Sequence, residues 1–327
     1  MSTTVTTVAP ARRLHSIGAL LTRCRHITRR DLQVALGLLW LLDGVLQAQP
    51  FMFTRGFATQ VIAPAGQGQP GFVSDPVHWA SALIAAHPVA WNVPFAAIQL
   101  LLGVGLLVPR TARPALAASI AWALGVWYLG EGLSGLASGH ASLITGAPGS
   151  ALVYALLAGA AWPGRDGSRE GPAPWLKFAW AGVWVGGAVF QALPGQNTGE
   201  AVASALTAGT GAAPAWLASL DNSAAAWATH HGPLLVTLLA EAQALIGVGA
   251  LARTTRTPAV ALGLALTLAF WVLGQDLGQL YTGQATDPNS GPALALMAIA
   301  LLAGRDDLRT QDSRSETLSP APGARAA

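Results

Sequence analysis

The sequence predicts an all-α integral membrane protein, with eight transmembrane helices arranged as two parallel four-helix repeats and with both termini in the cytoplasm. Three observations lead to this prediction. Hydrophobic residues make up 52% of the chain and charged residues only 10%, whereas about a quarter of the residues of a soluble domain are charged. The second half of the chain repeats the first, and the basic residues recur at regular intervals.

The internal repeat is visible when the chain is shifted by 144 residues, which lays the first half on the second without a gap. Self-similarity of this kind indicates a duplicated structural unit. One unit used twice can also build a site where the two copies meet. The matched pairs include Trp40/Trp184, Gln47/Gln191, His87/His231, Gln99/Gln243, Trp127/Trp271 and Pro148/Pro292.

Each half is predicted to contain one helix, a long loop and then three helices with short connections. Apolar stretches of about 18–22 residues are long enough to cross the hydrocarbon core. Because each half has an even number of helices, both halves enter the membrane from the same side and are parallel repeats. The predicted helices are 32–49, 89–108, 114–135 and 147–162 in the first half, and 176–193, 233–251, 258–280 and 291–304 in the second.

The basic residues predict the orientation of these helices. Arginines and lysines precede the first helix, join helices 2 and 3, link the halves, join helices 6 and 7 and follow helix 8. Loops rich in arginine and lysine normally stay on the cytoplasmic side, so the loops 50–88 and 195–232 are expected outside. Arg55 is the only arginine or lysine in these two loops. The pI of 9.6 therefore reflects membrane topology, and no nucleic-acid partner is expected.

These observations divide the chain into five parts, in a protein expected in the plasma membrane. The basic N-terminal segment 1–31 is expected to be cytoplasmic and retained, because the first helix is too long for a cleaved signal. The first repeat covers 32–162 and the second 176–304, joined by a turn-rich cytoplasmic linker at 163–175. The tail 305–327 is rich in serine, proline and charge and is predicted to be disordered.

Four acidic residues fall inside predicted spans: Asp43, Glu131, Glu241 and Asp276. A carboxylate in hydrocarbon is costly, so it normally faces the bundle interior and has a partner. All four are predicted to lie in the outer half of the membrane. They are candidate catalytic residues on a ligand or proton path, and the alternative is a structural network that fixes helix packing.

Four glutamines in the spans are kept in both halves: Gln47, Gln99, Gln191 and Gln243. A buried amide forms hydrogen bonds between helices and can also bind a quinone or carboxylate oxygen, so these residues are candidates for either role.

Three residues in the outer loops are candidates as well. Arg55 is placed to neutralise Asp43, Glu131 or an anionic substrate, or to touch lipid phosphate. His87 and His231 recur at helix starts, where proton transfer or simple capping would use them. No spacing of these residues predicts a metal site.

The ends of the third and seventh helices carry an aromatic side chain next to a polar one. Trp127 is followed four residues later by Glu131, and Trp271 by Gln275, so each pair shares a helix face. An aromatic plate beside a carboxylate or amide suits a flat ligand with polar oxygens, such as a quinone. A closely packed helix pair with interfacial tryptophan has the same pattern.

Several cofactor classes have no counterpart in the sequence. Cys24 is the only cysteine, so an internal disulfide and a CxxC redox pair are excluded. No haem or iron–sulfur ligand pattern is present. No nucleotide-binding fingerprint or catalytic nucleophile motif is evident. Quinone is the only cofactor that the pattern favours.

The four-helix unit resembles the DoxX-like superfamily, which includes DoxX/DoxD proteins and the membrane subunit of thiosulfate:quinone oxidoreductase. The resemblance rests on the long first outer loop, the glycine-rich helices, the run from Gln99 to Gly105 and the run from Trp127 to Gly139. It implies membrane redox work, in which electrons pass from a sulfur compound or a partner redox protein to quinone. The unit is present here as a tandem duplication.

The sequence leaves three functions open. The first is a quinone-interacting redox subunit whose site lies in the outer half of the membrane. Its expected partners are the lipid bilayer and a soluble or membrane redox protein. The second is a non-catalytic scaffold whose outer loops dock a partner. The third is a carrier for a small solute, which parallel repeats and polar groups in the membrane would suit.

Overall fold

The computed structural model describes residues 27–164 and 170–303. The predicted tail 305–327, most of the basic segment 1–31 with Cys24, and part of the linker 163–175 lie outside the described residues. Within the described ranges the chain is helical and has no β-strand, so the prediction of a helical fold is confirmed.

The described part of the chain contains eleven α-helices, five in the first half and six in the second, and the predicted long loops 50–88 and 195–232 contain three of them. The first half comprises α1 (Arg29–Gln47), α2 (Gly71–Ala86), α3 (Pro88–Leu107), α4 (Ala112–Leu129) and α5 (Ser150–Ala160). The second comprises α6 (Leu176–Ala192), α7 (Gly199–Thr207), α8 (Ala215–His230), α9 (Gly232–Gly249), α10 (Arg256–Val272) and α11 (Ser290–Ala303). Short 3-10 or π segments lie at Pro50–Phe53, Phe57–Ile62, Ala63–Gly66, Gly132–Gly135 and Asp276–Gln279.

The repeat is not free of gaps, and this corrects the alignment above. The indole Nε1 of Trp127 donates to the Pro148 carbonyl at 2.7 Å, and that of Trp271 donates to the Pro288 carbonyl at 2.8 Å. Pro148 therefore corresponds to Pro288 and not to Pro292, and the offset between the halves falls from 144 to 140 residues. The first half has four additional residues in the segment before α5.

Close helix packing begins at small residues on α1 and α3. A Cβ on Gly103 would lie 2.8 Å from the Gly37 carbonyl oxygen, so only glycine permits this approach. The equivalent Gly247 on α9 meets the Ala181 carbonyl of α6 at 3.0 Å in the same way. The glycines of this run are packing features, as expected.

Two helices, α3 and α9, are long and apolar enough to cross a membrane, with mean hydropathies of 1.7 and 1.5. The helices α5 and α11 are shorter and lie at the centre, where they pack against each other and against α1 and α6. The 11 residues of α5 extend about 16 Å at 1.5 Å per residue. That length is about half of a hydrocarbon core, so α5 begins inside the bundle rather than at its surface.

Both helices that precede α5 and α11 end earlier than predicted. The predicted span 114–135 ends as a helix at Leu129, and the span 258–280 ends at Val272. Left-handed backbone follows in both halves, at Leu133 with φ 56° and at Leu277 with φ 54°. The chain then runs irregularly to the next helix, so each half contains a break between two central helices.

Hydrogen bonds place several helix ends at one end of the bundle. Arg30, near the start of α1, donates to the Leu106 carbonyl at the end of α3 at 2.8 Å. Gln33 donates to the Ala161 carbonyl at the end of α5 at 2.9 Å. Arg29 also forms an ion pair of 2.9 Å with Glu170 of the linker. Cationic side chains near helix carboxyl ends are favourable, and this end of the bundle is the basic one.

Candidate functional site

The first half encloses a cavity of about 270 Å³, which we call the inner cavity. Its floor and walls come from α1, α3, α4 and α5, and the outer segment 57–84 covers it. Most of the lining is apolar, with a few polar groups. The polar and aromatic lining residues are Trp40, Asp43, Gln47, Phe57, Phe95, Gln99, Trp122, Glu131, Ser150, Tyr154, Thr286 and Asp287. Thr286 and Asp287 come from the second half, so the two repeats build this site together.

Asp43 and Tyr154 form the deepest polar contact of the inner cavity. The Tyr154 hydroxyl donates to Asp43 Oδ1 at 3.4 Å, and both side chains are buried. Trp40 packs edge-on against Tyr154 with 5.0 Å between ring centroids, and its Nε1 donates to Ser119 at 2.8 Å. These contacts fix the position of the Asp43 carboxyl group at the cavity wall.

Glu131 lies just beyond α4 and caps the start of α5. Its Oε1 accepts from the Ala151 amide at 3.0 Å and from the Ser150 hydroxyl at 2.8 Å. Its Oε2 accepts from Ser134 at 3.2 Å. A carboxylate at a helix start satisfies free amides and is favoured by the helix dipole, so the chain break places this acid at the cavity.

Two buried polar groups of the inner cavity have no hydrogen-bond partner: the acceptor Gln99 Oε1 and the donor Trp122 Nε1. Buried polar groups are normally paired. The equivalent acceptor of the second half, Gln243 Oε1, is also unpaired. Gln47 is different, because its amide bonds to Asn92 and the Asn92 amide donates to the Gln47 carbonyl at 2.9 Å.

A larger opening of about 710 Å³ lies between the two halves, and we call it the vestibule. The two irregular segments line it, together with Gln60, Gln67, Gln69, Ser138, His140, Gln275, Gln279, Gln284 and Asn289. Val61, Glu131, Ser150, Thr286 and Asp287 line both spaces. The two spaces therefore meet at a carboxyl-lined junction. Irregular backbone inside a bundle is tolerated where it lines such a cavity.

The ionisable side chains of the inner cavity are acidic. Asp43, Glu131 and Asp287 line it, and among the residues described there is no lysine, arginine or histidine in its lining. His140 is exposed and lines the vestibule only. The cavity therefore favours neutral or cationic ligands over anions.

Leu143 occupies part of the corresponding space in the second half. Gly187 stands where α1 has Asp43, and a Cβ there would lie 2.4 Å from Leu143 Cδ1. Leu143 belongs to the additional residues of the first half. Gln275 corresponds to Glu131, donates to the Leu143 carbonyl at 3.2 Å and accepts from the Gly291 amide at 3.1 Å. Both halves keep the side chain that caps the central helix, but the second half has no acidic residue in place of Asp43 or Glu131.

The second half instead buries a carboxyl pair under its outer helices. Asp221 of α8 and Asp276 are both fully buried. Burial, followed by the neighbouring Asp276 carboxyl, raises the pKa of Asp221 to about 7. The missing side chain of Gly209 makes the room, since a Cβ there would lie 1.7 Å from Asp276 Oδ2. Asp276 is therefore separate from the inner cavity, contrary to the expectation that it would work beside Glu131.

Other predicted site residues lie elsewhere. Trp127 and Trp271 are outside the inner-cavity lining, and their indole N–H groups donate to proline carbonyls. Glu241 is exposed on α9, so the expectation that it faces the interior is wrong.

The outer cations and the remaining glutamines are also outside the cavity lining. Arg55, His87 and His231 are exposed, and His231 stacks on Trp227 at 4.7 Å. Gln191 donates to the Gln196 carbonyl at 2.7 Å, while Gln243 Oε1 is buried without a partner.

Four important residues escaped the sequence analysis: Trp122, Tyr154, Asp221 and Asp287. The search considered acids inside spans, whereas Asp221 and Asp287 lie in connecting segments. Tyr154 had a recognisable signal, since it is one of only three tyrosines and stands on an otherwise apolar helix. Trp122 had no such signal in the sequence, because tryptophan in a membrane helix commonly faces lipid.

Comparison with protein-family models, with curated proteins and with solved structures finds no match for this chain.

The buried Asp221 predicts a pH-dependent stability. Its ordinary pKa of 3.8 is raised to about 7, so between these values the folded chain binds a proton that the unfolded chain releases. Stability is therefore highest below this window and falls as pH rises through it. Asp221→Asn should lose less of its melting temperature between pH 5 and pH 8 than the wild type, measured in detergent.

The matched control is Asp75→Asn, which changes an exposed aspartate on the equivalent outer helix α2. The melting temperature of this variant should fall between pH 5 and pH 8 by as much as that of the wild type. An equal fall in melting temperature in Asp221→Asn and in the wild type would contradict a raised pKa for Asp221.

Proposed function

We propose that this protein is a membrane-embedded quinone-binding redox subunit with one site, the inner cavity of the first half. The observation that carries this proposal is the combination of aromatic walls, an unpaired donor and acceptor, and three carboxyl groups around one cavity. Its volume of about 270 Å³ exceeds the ~150 Å³ of an apolar cavity that holds benzene, so a substituted ring fits.

The proposal includes eight membrane passages with both termini in the cytoplasm of a plasma-membrane protein. Large apolar side chains are exposed along α1, α3, α4, α6, α9 and α10, as expected for lipid contact. Exposed tryptophans lie towards both ends of the bundle, as in interfacial belts. They are Trp79, Trp216 and Trp227 on the outer helices, and Trp162 and Trp175 at the basic end.

The residues of the cavity would divide the work between binding and proton transfer. Trp122 Nε1 would donate to one ring oxygen, and Gln99 Oε1 would accept from a hydroxyl. A quinone takes up two electrons from a partner redox protein and two protons, giving a quinol. Asp43, Tyr154 and Glu131 carry dissociable protons at the cavity wall, which is the kind of group that general acid–base chemistry needs. The vestibule would connect Glu131 to outside water.

The topology predicts a labelling pattern for single cysteines in a Cys24→Ser background. Gln67→Cys and Ala212→Cys lie on exposed outer segments, and Pro109→Cys and Thr254→Cys lie at the basic end. In intact cells an impermeant maleimide should label the outer pair alone, and after permeabilisation it should label all four. Labelling of both pairs in intact cells would contradict the orientation.

The quinone proposal predicts near-stoichiometric quinone in the organic extract of the purified protein, measured by mass spectrometry against a mock purification. Gln99→Leu and Trp122→Phe each remove one hydrogen bond, so each should weaken quinone binding about tenfold. The control Gln243→Leu changes the equivalent glutamine of the second half and should bind as the wild type does. Absence of quinone from the wild-type extract and from binding assays would refute the site.

The same proposal predicts that Glu131→Gln lowers quinone turnover by about 10²-fold or more while the protein stays folded. Gln275 already shows that an amide can cap the corresponding helix. Asp276→Asn is the control, because Asp276 lies outside the inner cavity. Wild-type turnover in Glu131→Gln would contradict a proton-transfer role.

One observation favours a second candidate, a carrier for a neutral or cationic solute. The breaks after α4 and α10 line a polar vestibule, and broken helices of this kind form transporter sites. The scaffold alternative has less support, since the outer segment 57–84 packs over the inner cavity. Uptake by reconstituted vesicles that is lost in Asp43→Asn would establish the carrier, and absence of uptake across a panel of solutes would remove it.

A further inference from the structure

The inner cavity has an opening on the side of the bundle. Ala121 and Gly125 of α4 line the cavity and are also exposed. A Cβ on Gly125 would meet nothing within 4 Å. We call this opening at Ala121 and Gly125 the mouth. It lies beside the contact between the rings of Phe95 on α3 and Trp122 on α4, whose centroids are 5.5 Å apart. It belongs to an exposed stripe of α4 that faces away from the bundle and also includes Pro114, Ala117, Ala118 and Leu124.

The surface around the mouth is apolar. Val93 and Leu101 of α3 are 53% and 70% exposed, and Leu124 of α4 is 41% exposed. Exposed aliphatic side chains on a helix long and apolar enough to span a membrane are expected to contact lipid. The mouth therefore opens towards hydrocarbon, whereas the vestibule is lined by amides, hydroxyls and carboxyls.

The two openings select different chemical species. The cavity volume accommodates a ring but leaves no room for a long hydrocarbon chain. Such a chain loses favourable apolar contact when it lies among amides, so it would leave through the mouth and not through the vestibule. Water and protons are expected to pass through the polar vestibule and not through the apolar mouth.

Resting on the proposed function, we infer that the ligand is a quinone with a hydrocarbon tail, which enters from the bilayer through the mouth and leaves its tail there. The vestibule then serves water and protons and does not admit the tailed ligand. The mouth lies at α4 residues 121–125, in the half of that helix towards the outer segments, so the ring enters from the outer leaflet.

The inference is tested with the full-length protein in lipid nanodiscs and two probes, an isoprenoid-tailed quinone supplied in the lipid and a short-chain quinone supplied in water. Gly125→Leu narrows the mouth, and the added Cβ meets nothing within 4 Å. The control Gly182→Leu also adds a side chain at an open helical glycine, but that residue lines a separate apolar groove between the two halves.

We expect Gly125→Leu to weaken or slow binding of the tailed quinone at least tenfold, to change the short-chain quinone less than threefold, and Gly182→Leu to change neither. Equal loss of both probes in Gly125→Leu, or no loss of either, overturns lateral entry and leaves the quinone site standing. Failure of both probes to bind the wild type refutes the proposed function itself, and with it this inference.

A second measurement uses milder variants in the Cys24→Ser background. Ala121→Cys places a thiol in the mouth, and Ala265→Cys places one at the equivalent exposed position of α10. The tailed quinone should protect Ala121→Cys from a lipid-soluble maleimide, while the short-chain quinone should not. Neither probe should protect Ala265→Cys, and equal protection at both positions overturns the proposal.

Discussion

The need to cap two helices that begin inside the bundle governs the rest of this structure. Free amides at a helix start are costly where water is excluded. Each half meets this need with a side chain placed just after a broken helix, Glu131 for α5 and Gln275 for α11. An indole from the preceding turn holds the proline before each central helix. Without these contacts the irregular segments would have no fixed course, and neither the vestibule nor the inner cavity would keep its shape.

Duplication separates what the fold requires from what one half has acquired. Because an amide at Gln275 caps its helix, the negative charge of Glu131 is not needed for capping. Asp43 and Tyr154 likewise face each other in the first half, while Gly187 of the second half packs against Leu143. Leu143 of the first half thus packs against the second half, and Asp287 of the second half lines the inner cavity. The first repeat contains most of the inner cavity, and the second supplies support and one of its carboxyl groups.

The sequence predicted the helical class, the repeated order of the main helices and the position of Asp43, Glu131 and Gln99 inside the bundle, because hydropathy and buried polar residues leave signals along the chain. It did not predict the breaks after α4 and α10, since Leu133 and Leu277 adopt left-handed backbone that their side chains do not favour. It also missed the change of offset, because Pro292 happens to lie 144 residues after Pro148. Pairing of Asp221 with Asp276 depends on the space at Gly209, which only the folded chain reveals.

The acidic lining of the inner cavity constrains the source of electrons in the proposed reaction. The lining has three carboxyl groups and, among the described residues, no cation, so a doubly charged sulfur anion would leave water without a favourable partner, which is costly. A neutral ring meets no such barrier and gains contact with Trp122 and Phe95. A sulfur donor of the kind that the DoxX-like resemblance implies would therefore react on a partner protein. That partner would pass electrons to the cavity from the vestibule side, where Glu131 and Asp287 join the two spaces.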